Sequence, residues 1–85
     1  MLRMKDVMSR LKLSHFRLIA AVAEHGQLSP AAASLSMTQP AASRMLREIE
    51  RLIGVPLFER HAKGMSLTEV GGLLALMLLH DSRRE

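Results

Sequence analysis

Hydrophobic and polar positions recur with a helical period along residues 38–53, TQPAASRMLREIERLI. At about 100° per residue, the stretch divides into two faces. The apolar face consists of Ala42, Met45, Leu46, Ile49, Leu52 and Ile53, and the polar face of Gln39, Pro40, Ser43, Arg44, Arg47 and Arg51. Thr38 can cap the first turn, Pro40 fits that turn because it has no N–H, and Gly54 can end the helix. The pattern predicts an amphipathic helix whose polar side chains can reach phosphates and base edges of DNA.

Two shorter helices are predicted before it. The first covers Leu13–His25, where apolar residues recur at helical spacing, with Ser14 as the expected N-cap and Gly26 as the stop. A second start signal follows, with Ser29 as the cap and Pro30 in the first helical position. The helix that they start has room for only about two turns before the long helix begins.

The order of a short helix, a brief turn and a longer polar-faced helix favours a helix-turn-helix. The alanines at residues 31–33 fit this interpretation, because small side chains let two helices cross closely. A generic helical hairpin, packed only for stability, fits the same spacing equally well. The helical pattern alone therefore leaves both interpretations open.

Two short strands are predicted next, Val55–Arg60 and Met65–Leu67, with a turn between them. Gly64 can adopt the positive φ that such a turn often needs. A basic hairpin after a recognition helix is a wing, with Arg60 at its base and Lys63 at its tip. Because two strands are only marginally stable alone, the apolar residues of this hairpin must dock on the helices.

A last helix is predicted after Thr68, its expected N-cap. Its apolar stripe consists of Val70, Leu73, Leu74, Met77 and Leu78. Gly71 and Gly72 lower helix propensity by roughly 1 kcal/mol each, yet they allow close approach of another element. Because the stripe is larger than one peripheral helix usually hides, we expect it to be a dimer interface with the same helix of a second subunit. A single buried helix is the alternative.

Composition narrows the classes of function. The 85 residues form one small domain. The chain has 12 Lys and Arg and 8 Asp and Glu, which gives a formal net charge of +4. A charge of this size does not by itself establish a nucleic-acid partner. The absence of cysteine excludes disulfides and cysteine-based zinc sites. The four histidines lack metal-ligand spacing, and there is no GxSxG or phosphate-cradling glycine loop. We therefore expect no catalytic residues, no metal site and no cofactor.

The chain shows no sequence signal for a membrane. Residues 1–12 are weakly patterned, either an N-terminal extension or a lead-in to the first helix, and they lack the apolar region of a signal peptide. The longest nearly continuous apolar run, Val70–Leu79, is much shorter than the about 20 residues that span a bilayer. We expect a cytoplasmic protein without a membrane partner.

Residues 38–60, TQPAASRMLREIERLIGVPLFER, resemble the signature of LysR-type transcriptional regulators. That signature reads Ser-Gln-Pro-Ala-x-Ser, then Leu-Glu, then Leu-Gly-x-x-Leu-Phe-x-Arg. Its positions fall here on Thr38–Ser43, Ile49-Glu50 and Ile53–Arg60. The upstream stretch LKLSHFRLIAAVAEHGQLSPAAASL also resembles the opening of the family, so the resemblance covers roughly residues 11–78.

The resemblance implies a mainly α fold. Residues 13–67 would form a winged helix-turn-helix with three helices and a two-stranded wing, and residues 68–85 a long C-terminal linker helix that pairs two subunits. In such proteins a larger ligand-sensing domain follows, which these 85 residues do not contain. We therefore expect a DNA-binding fragment or truncated form, and a small-molecule effector only for a full-length version. The implied partner is double-stranded DNA, an inverted-repeat promoter site bound by a homodimer.

The resemblance also implies roles for residues of the long helix. Gln39 would read a base edge, and Pro40 would contact a thymine methyl group. Ser43 and Arg44 would lie one turn further along the major groove, with Arg44 able to reach guanine or a phosphate. Arg47 is a weaker candidate, because exposed helix arginines are often simply solvated.

Four further contacts are implied outside the base-reading positions. Ser29 and Thr38 would bind backbone phosphate through hydroxyls and helix-end N–H groups. Lys63 would enter the minor groove, and Arg60 would support the wing or contact phosphate. The main rival is a helical protein-interaction module that does not bind DNA.

Overall fold

A computed structural model describes residue 6 and residues 9–83, with the backbone alone for residues 78–83. Within these residues, the elements in chain order are α1 (Leu13–His25), α2 (Leu28–Ser34), α3 (Gln39–Ile53), β1 (Phe58–His61), β2 (Gly64–Leu67) and α4 (Glu69–Arg83). The two strands form one antiparallel sheet. The predicted mainly α winged helix-turn-helix with a following C-terminal helix is thereby confirmed.

The segment before α1 is only partly described, since residues 1–5 and 7–8 of the predicted extension or lead-in lie outside the described residues. Leu11 is buried in the core. The Arg10 guanidinium donates to the carbonyl of Leu52 at 3.3 Å, close to the end of α3. Arg10 and Leu11 therefore attach the end of this segment to the helices.

The core is mainly aliphatic and includes residues from each of the four helices. Its buried apolar residues are Leu11, Leu18, Ile19, Ala21, Val22, Leu28, Ala31, Ala32, Ala42, Leu46, Ile49, Ile53, Leu57, Phe58 and Leu74. Each fully buried Leu or Ile side chain contributes about 1.5–3 kcal/mol relative to an exposed one. The three small alanines of α2 and α3, Ala31, Ala32 and Ala42, are almost without exposed area, and they let these two helices approach closely.

The predicted cap of α1 is wrong, because the helix begins one residue before Ser14. Lys12 has an extended backbone (φ −92°, ψ 165°) and is the N-cap. Its carbonyl accepts the N–H of His15, and its own N–H donates to Nδ1 of His15 at 3.1 Å. This reciprocal pair stabilises the helix start without a Ser or Thr cap, and it satisfies a histidine that is buried.

The predicted start of α2 is also wrong. The N-cap is Gln27, so Ser29 and Pro30 lie inside the first turn. Pro30 costs no hydrogen bond there, because the first N–H groups of a helix have no intrahelical partner. Its position still agrees with the preference of proline for helix starts.

The turn between α2 and α3 is closed by backbone hydrogen bonds around Ser36. The N–H of Met37 donates to the carbonyl of Ala32 at 2.9 Å, and the N–H of Ser36 donates to that of Ala33 at 3.1 Å. This is the Schellman pattern, which requires a left-handed residue at the position of Ser36. Ser36 has φ +58° and is the one residue other than glycine with positive φ among those described.

Both ends of α3 agree with the prediction. The Thr38 hydroxyl accepts the N–H of Ala41 at 3.3 Å, as an N-cap should. Gly54 ends the helix in a left-handed conformation with φ +91°. These two signals fix a helix of fifteen residues.

The wing is shorter than predicted at its start. Phe58 pairs with Leu67 and His61 with Gly64, which leaves a two-residue turn. Residues 55–57 do not form a strand. The backbone of Leu57 makes hydrogen bonds to Glu50 and Thr68 and none to a paired strand. Gly64 has the predicted positive φ, at +137°.

The last helix packs closely on the segment before the wing. The Thr68 hydroxyl accepts the N–H of Gly71 at 3.1 Å, which confirms Thr68 as the cap. A Cβ on Gly71 would collide with the carbonyl of Leu57, whereas a Cβ on Gly72 would meet nothing within 4 Å. Of the two glycines, only Gly71 is required by close approach.

Candidate nucleic-acid interface

The two predicted faces of α3 differ in solvent exposure. On the inner face, Ala42, Leu46, Ile49 and Ile53 are buried, and Met45 and Leu52 are partly buried. On the outer face, Gln39, Pro40, Arg44, Arg47 and Arg51 are exposed, and Ser43 is half-buried. The core therefore fixes the rotation of the helix and leaves its polar groups accessible.

The N-terminal end of α3 presents Thr38, Gln39 and Pro40 together. All three are exposed. The oxygen of the Thr38 hydroxyl accepts the capping hydrogen bond, so its O–H remains able to donate to an anion. Arg44 is exposed as well, one helical turn after Pro40. This end of the helix combines an amide, a hydroxyl and a guanidinium.

The two basic residues of the wing lie at different distances from its tip. Lys63 is exposed in the two-residue turn, at the predicted tip. Arg60 is exposed on β1 opposite Met65, one pair away from the turn, so its predicted place at the base of the wing is wrong. The base of the hairpin is the pair Phe58–Leu67, and β1 continues one residue beyond Arg60 to His61.

A cleft of about 420 Å³ lies between α3 and the wing. Its lining residues are Ser43, Leu46, Arg47, Glu50, Phe58, Arg60 and Met65. The cleft therefore brings together three predicted site residues from two elements, namely Ser43, Arg47 and Arg60. Ser29 lies on the first turn of α2 and does not line this cleft.

The carboxylate in this cleft is engaged by the backbone. Oε2 of Glu50 accepts the N–H of Leu57 at 2.7 Å and the N–H of Phe58 at 3.3 Å. Sequence reasoning missed this role, although a signal was available. Glu50 lies four residues after Leu46 and three before Ile53, so the carboxylate falls on the apolar stripe.

The residues predicted for a dimer interface differ in burial: some lie in the core and others are exposed. Leu74 is only 1% exposed and belongs to the core, and Val70 packs against the core. Leu73 is 52% exposed and Met77 is 36% exposed. Leu78 lies outside the side chains that the structure describes. The side chain of Leu74 is therefore not available to a partner.

Leu76 adds to the exposed part of this helix. It is 65% exposed, more than Leu73 or Met77. Among the described side chains of α4, the exposed apolar surface is therefore formed by Leu73, Leu76 and Met77.

Among residues 6 and 9–83, no three histidine, aspartate or glutamate side chains are grouped so that they could hold a metal ion. None of the helices within the same residues is both long and apolar enough to cross a membrane.

Comparison with solved structures finds the same architecture in DNA-bound proteins. The crystal structure of a CbnR DBD–DNA complex superposes with a TM-score of 0.79 at 29% identity, over 86% of this chain and 84% of that one. A BenM DBD/benA site 1 DNA complex gives a TM-score of 0.80 at 27% identity, over 87% and 83%.

Comparison with curated proteins gives higher identities. The HTH-type transcriptional regulator GbpR of Rhizobium radiobacter is 52% identical over 64 residues, which are 75% of this chain and 21% of that protein. The uncharacterized HTH-type transcriptional regulator YdcI of Escherichia coli strain K12 is 45% identical over 62 residues, 73% of this chain and 20% of that protein. The chain thus spans about a fifth of the length of these relatives.

The sequence model described as "Bacterial regulatory helix-turn-helix protein, lysR family" matches residues 13–72, from the start of α1 into α4. The match includes both helices of the helix-turn-helix, the wing and the glycine that contacts Leu57. With that match over most of its length, the chain belongs to the lysR family of bacterial regulatory helix-turn-helix proteins.

Proposed function

We propose that the chain binds a promoter site in double-stranded DNA, with α3 in the major groove and the wing at the minor groove. The observation that carries the proposal is the cleft between α3 and the wing, where Ser43, Arg47 and Arg60 face one cavity. The structural neighbours that are DNA complexes have this same arrangement of elements. A major groove is about 12 Å wide and admits one α-helix.

The N-terminal end of α3 would read the bases. The exposed amide of Gln39 can donate and accept at once, which suits the paired groups at the edge of an adenine. Pro40 offers an apolar contact for a thymine methyl group. Arg44 is exposed one turn further and can reach guanine or a phosphate.

The cleft would hold the sugar-phosphate strand that separates the major groove from the minor groove. A helix in one groove and a hairpin at the next must have this strand between them. Arg47 and Arg60 supply two guanidinium groups to the cleft, and Ser43 supplies a hydroxyl. Glu50 also lines the cleft, where Oε2 of its carboxylate accepts two backbone N–H groups.

Three further residues would contact the DNA on either side of this sugar-phosphate strand. Lys63 at the exposed wing tip would enter the minor groove. The hydroxyls of Thr38 and Ser29, both exposed, would donate to backbone phosphates. Such contacts position the protein on the duplex, while the α3 residues supply sequence preference.

We infer a homodimer formed through α4. The exposed Leu73, Leu76 and Met77 form an apolar surface that a second copy of the helix would cover. Two-fold symmetry would place two α3 helices in successive major grooves, about 34 Å apart, on an inverted-repeat site. Because the chain spans about a fifth of the length of its relatives, response to a small-molecule effector is proposed only for a longer version. We propose the cytoplasm as the place of action.

Selection of bound sequences from a random pool of duplex DNA tests this proposal, since it reports the site, its symmetry and its spacing together. The expected result is an inverted repeat with half-sites one helical turn apart. Affinity for the selected duplex should fall with salt, with a log–log slope of about −0.9 for each phosphate contact. A pool without enrichment, together with binding that does not respond to salt, would favour the protein-interaction module instead.

A further inference from the structure

The wing is attached to the turn between α1 and α2. The N–H of Met65 donates to the carbonyl of Gly26 at 2.8 Å. A Cβ on Gly64 would collide with this same carbonyl, so β2 lies directly against the turn. This contact is needed, because a two-stranded hairpin is only marginally stable on its own.

A second contact reaches from this turn toward the wing tip. Nε2 of Gln27 donates to the backbone carbonyl of Lys63 at 3.4 Å. The Gln27 side chain runs past the wing, since its Cγ would lie 3.0 Å from a Cβ on Gly64. Gln27 is the N-cap of α2, but its side chain makes no capping hydrogen bond. Its amide is therefore directed to the wing and not to the helix that it precedes.

We propose that Gln27 is a positioning residue for the wing tip, holding the backbone of Lys63 so that the lysine side chain is directed at the DNA. The inference rests on the proposed contact of Lys63 with the minor groove. A long lysine side chain loses rotamer freedom when it binds, and a mobile hairpin turn would add the cost of ordering the backbone. By ordering the turn beforehand, the Gln27 amide lowers that cost.

The replacement Gln27→Met tests this inference, because methionine keeps the length of the side chain and lacks an N–H to donate. The probe is a labelled duplex carrying the site selected from the random pool. We expect binding about threefold weaker, near the lower end of one hydrogen bond's net contribution, because this bond is long and exposed. The midpoint of thermal unfolding should fall by only a few degrees, since the Met65–Gly26 bond still attaches the wing.

A double-mutant cycle with Lys63→Ala separates positioning from direct contact. If Gln27 acts through Lys63, Gln27→Met should have no further effect on affinity in the Lys63→Ala background. Backbone ¹⁵N relaxation of the free chain supplies a readout that does not depend on DNA. In Gln27→Met, the amide of Lys63 should show larger fast motion, while the amide of Met65 should not.

The possible failures can be told apart. If the unmodified chain does not bind DNA, the proposed function and this inference are both overturned. If Lys63→Ala binds as tightly as the unmodified chain, the proposed contact of Lys63 with DNA is overturned, and so is the inference that depends on it. If Lys63→Ala binds more weakly but Gln27→Met does not, only the inference is overturned. Equal losses from Gln27→Met in both backgrounds would also overturn it, because Gln27 would then act independently of Lys63.

Discussion

The carboxylate of Glu50 accepts the N–H of Leu57 at 2.7 Å, and this bond ties the end of α3 to the segment before the wing. Leu57 has no exposed area, so its N–H cannot turn to water instead. The carbonyl of Leu57 accepts the N–H of Thr68 at 2.9 Å, which brings the start of α4 to the same place. The orientation of the wing relative to α3 therefore depends on one buried stretch of backbone.

Replacing Glu50 with alanine should lower the free energy of unfolding by about 2–3 kcal/mol, since hydrogen bonds to a charged group are lost and the buried N–H of Leu57 has no partner. Urea unfolding measures the change. Glu59→Ala is the matched control, because Glu59 is an exposed carboxylate on β1 and should cost less than about 0.5 kcal/mol. Similar losses for both variants would contradict the role of Glu50.

How far the sequence could predict this region is shown by Glu50 and Leu57. Helical spacing located Glu50 on α3, and the family signature included it. Its partner lies seven residues further on, in a loop whose path is set by the packing of the wing and α4. The same packing explains why the predicted strand started too early, since Leu57 bonds to Glu50 and Thr68 and not to β2.

The neighbouring glycines of α4 should respond oppositely to alanine. Gly71→Ala should cost about 2 kcal/mol or more, because the added Cβ collides with the carbonyl of Leu57. Gly72→Ala should stabilise the chain by about 1 kcal/mol, because alanine is the better helix former and the new Cβ meets no atom within 4 Å. Thermal unfolding of the two variants side by side is the measurement. Equal shifts in the same direction would show that α4 does not contact Leu57 in this way.

The turn of the helix-turn-helix contains a strained serine. Ser36 has φ +58°, a left-handed conformation that costs a non-glycine residue about 1–2 kcal/mol. Ser36→Gly should therefore raise the free energy of unfolding by about 0.5–1 kcal/mol, the gain being reduced by the greater freedom of glycine in the unfolded chain. Ser34→Gly, at the last residue of α2, should lower it by a similar amount, because the bond from the Ser34 hydroxyl to the carbonyl of Ala31 is lost. Urea unfolding compares the pair, and a loss from Ser36→Gly would contradict this account.

The helix starts show where sequence signals are weak. Ser14 and Ser29 are good capping residues by type, yet the caps are Lys12 and Gln27. A preference of about 1 kcal/mol for a hydroxyl cap is easily exceeded by burial of the helix face. Thr38 was identified correctly, because its capping signal coincides with the start of a strongly amphipathic pattern.

Arg44 gives the most direct test of base reading. If it holds a base, Arg44→Ala should reduce the difference in binding free energy between the selected duplex and random DNA by about 1–3 kcal/mol. Arg51→Ala is the matched control, since Arg51 is an exposed arginine in the last turn of the same helix, far from the base-reading end. Fluorescence anisotropy with both duplexes measures the two affinities. Unchanged affinities of Arg44→Ala for both would remove the proposed role.

The exposure of the leucine side chains along α4 predicts which leucine contributes to the dimer interface. Leu76 is 65% exposed, so Leu76→Glu should leave the fold of each chain intact while placing a charge in the proposed interface. We expect the dissociation constant of the dimer to rise about tenfold or more, measured by analytical ultracentrifugation over a range of concentrations. Leu13→Glu is the matched control, because Leu13 is a 72% exposed leucine on α1 and its replacement should not alter dimerisation. If the unmodified chain stays monomeric, or Leu76→Glu dimerises as tightly as Leu13→Glu, the exposed surface of α4 is not the interface.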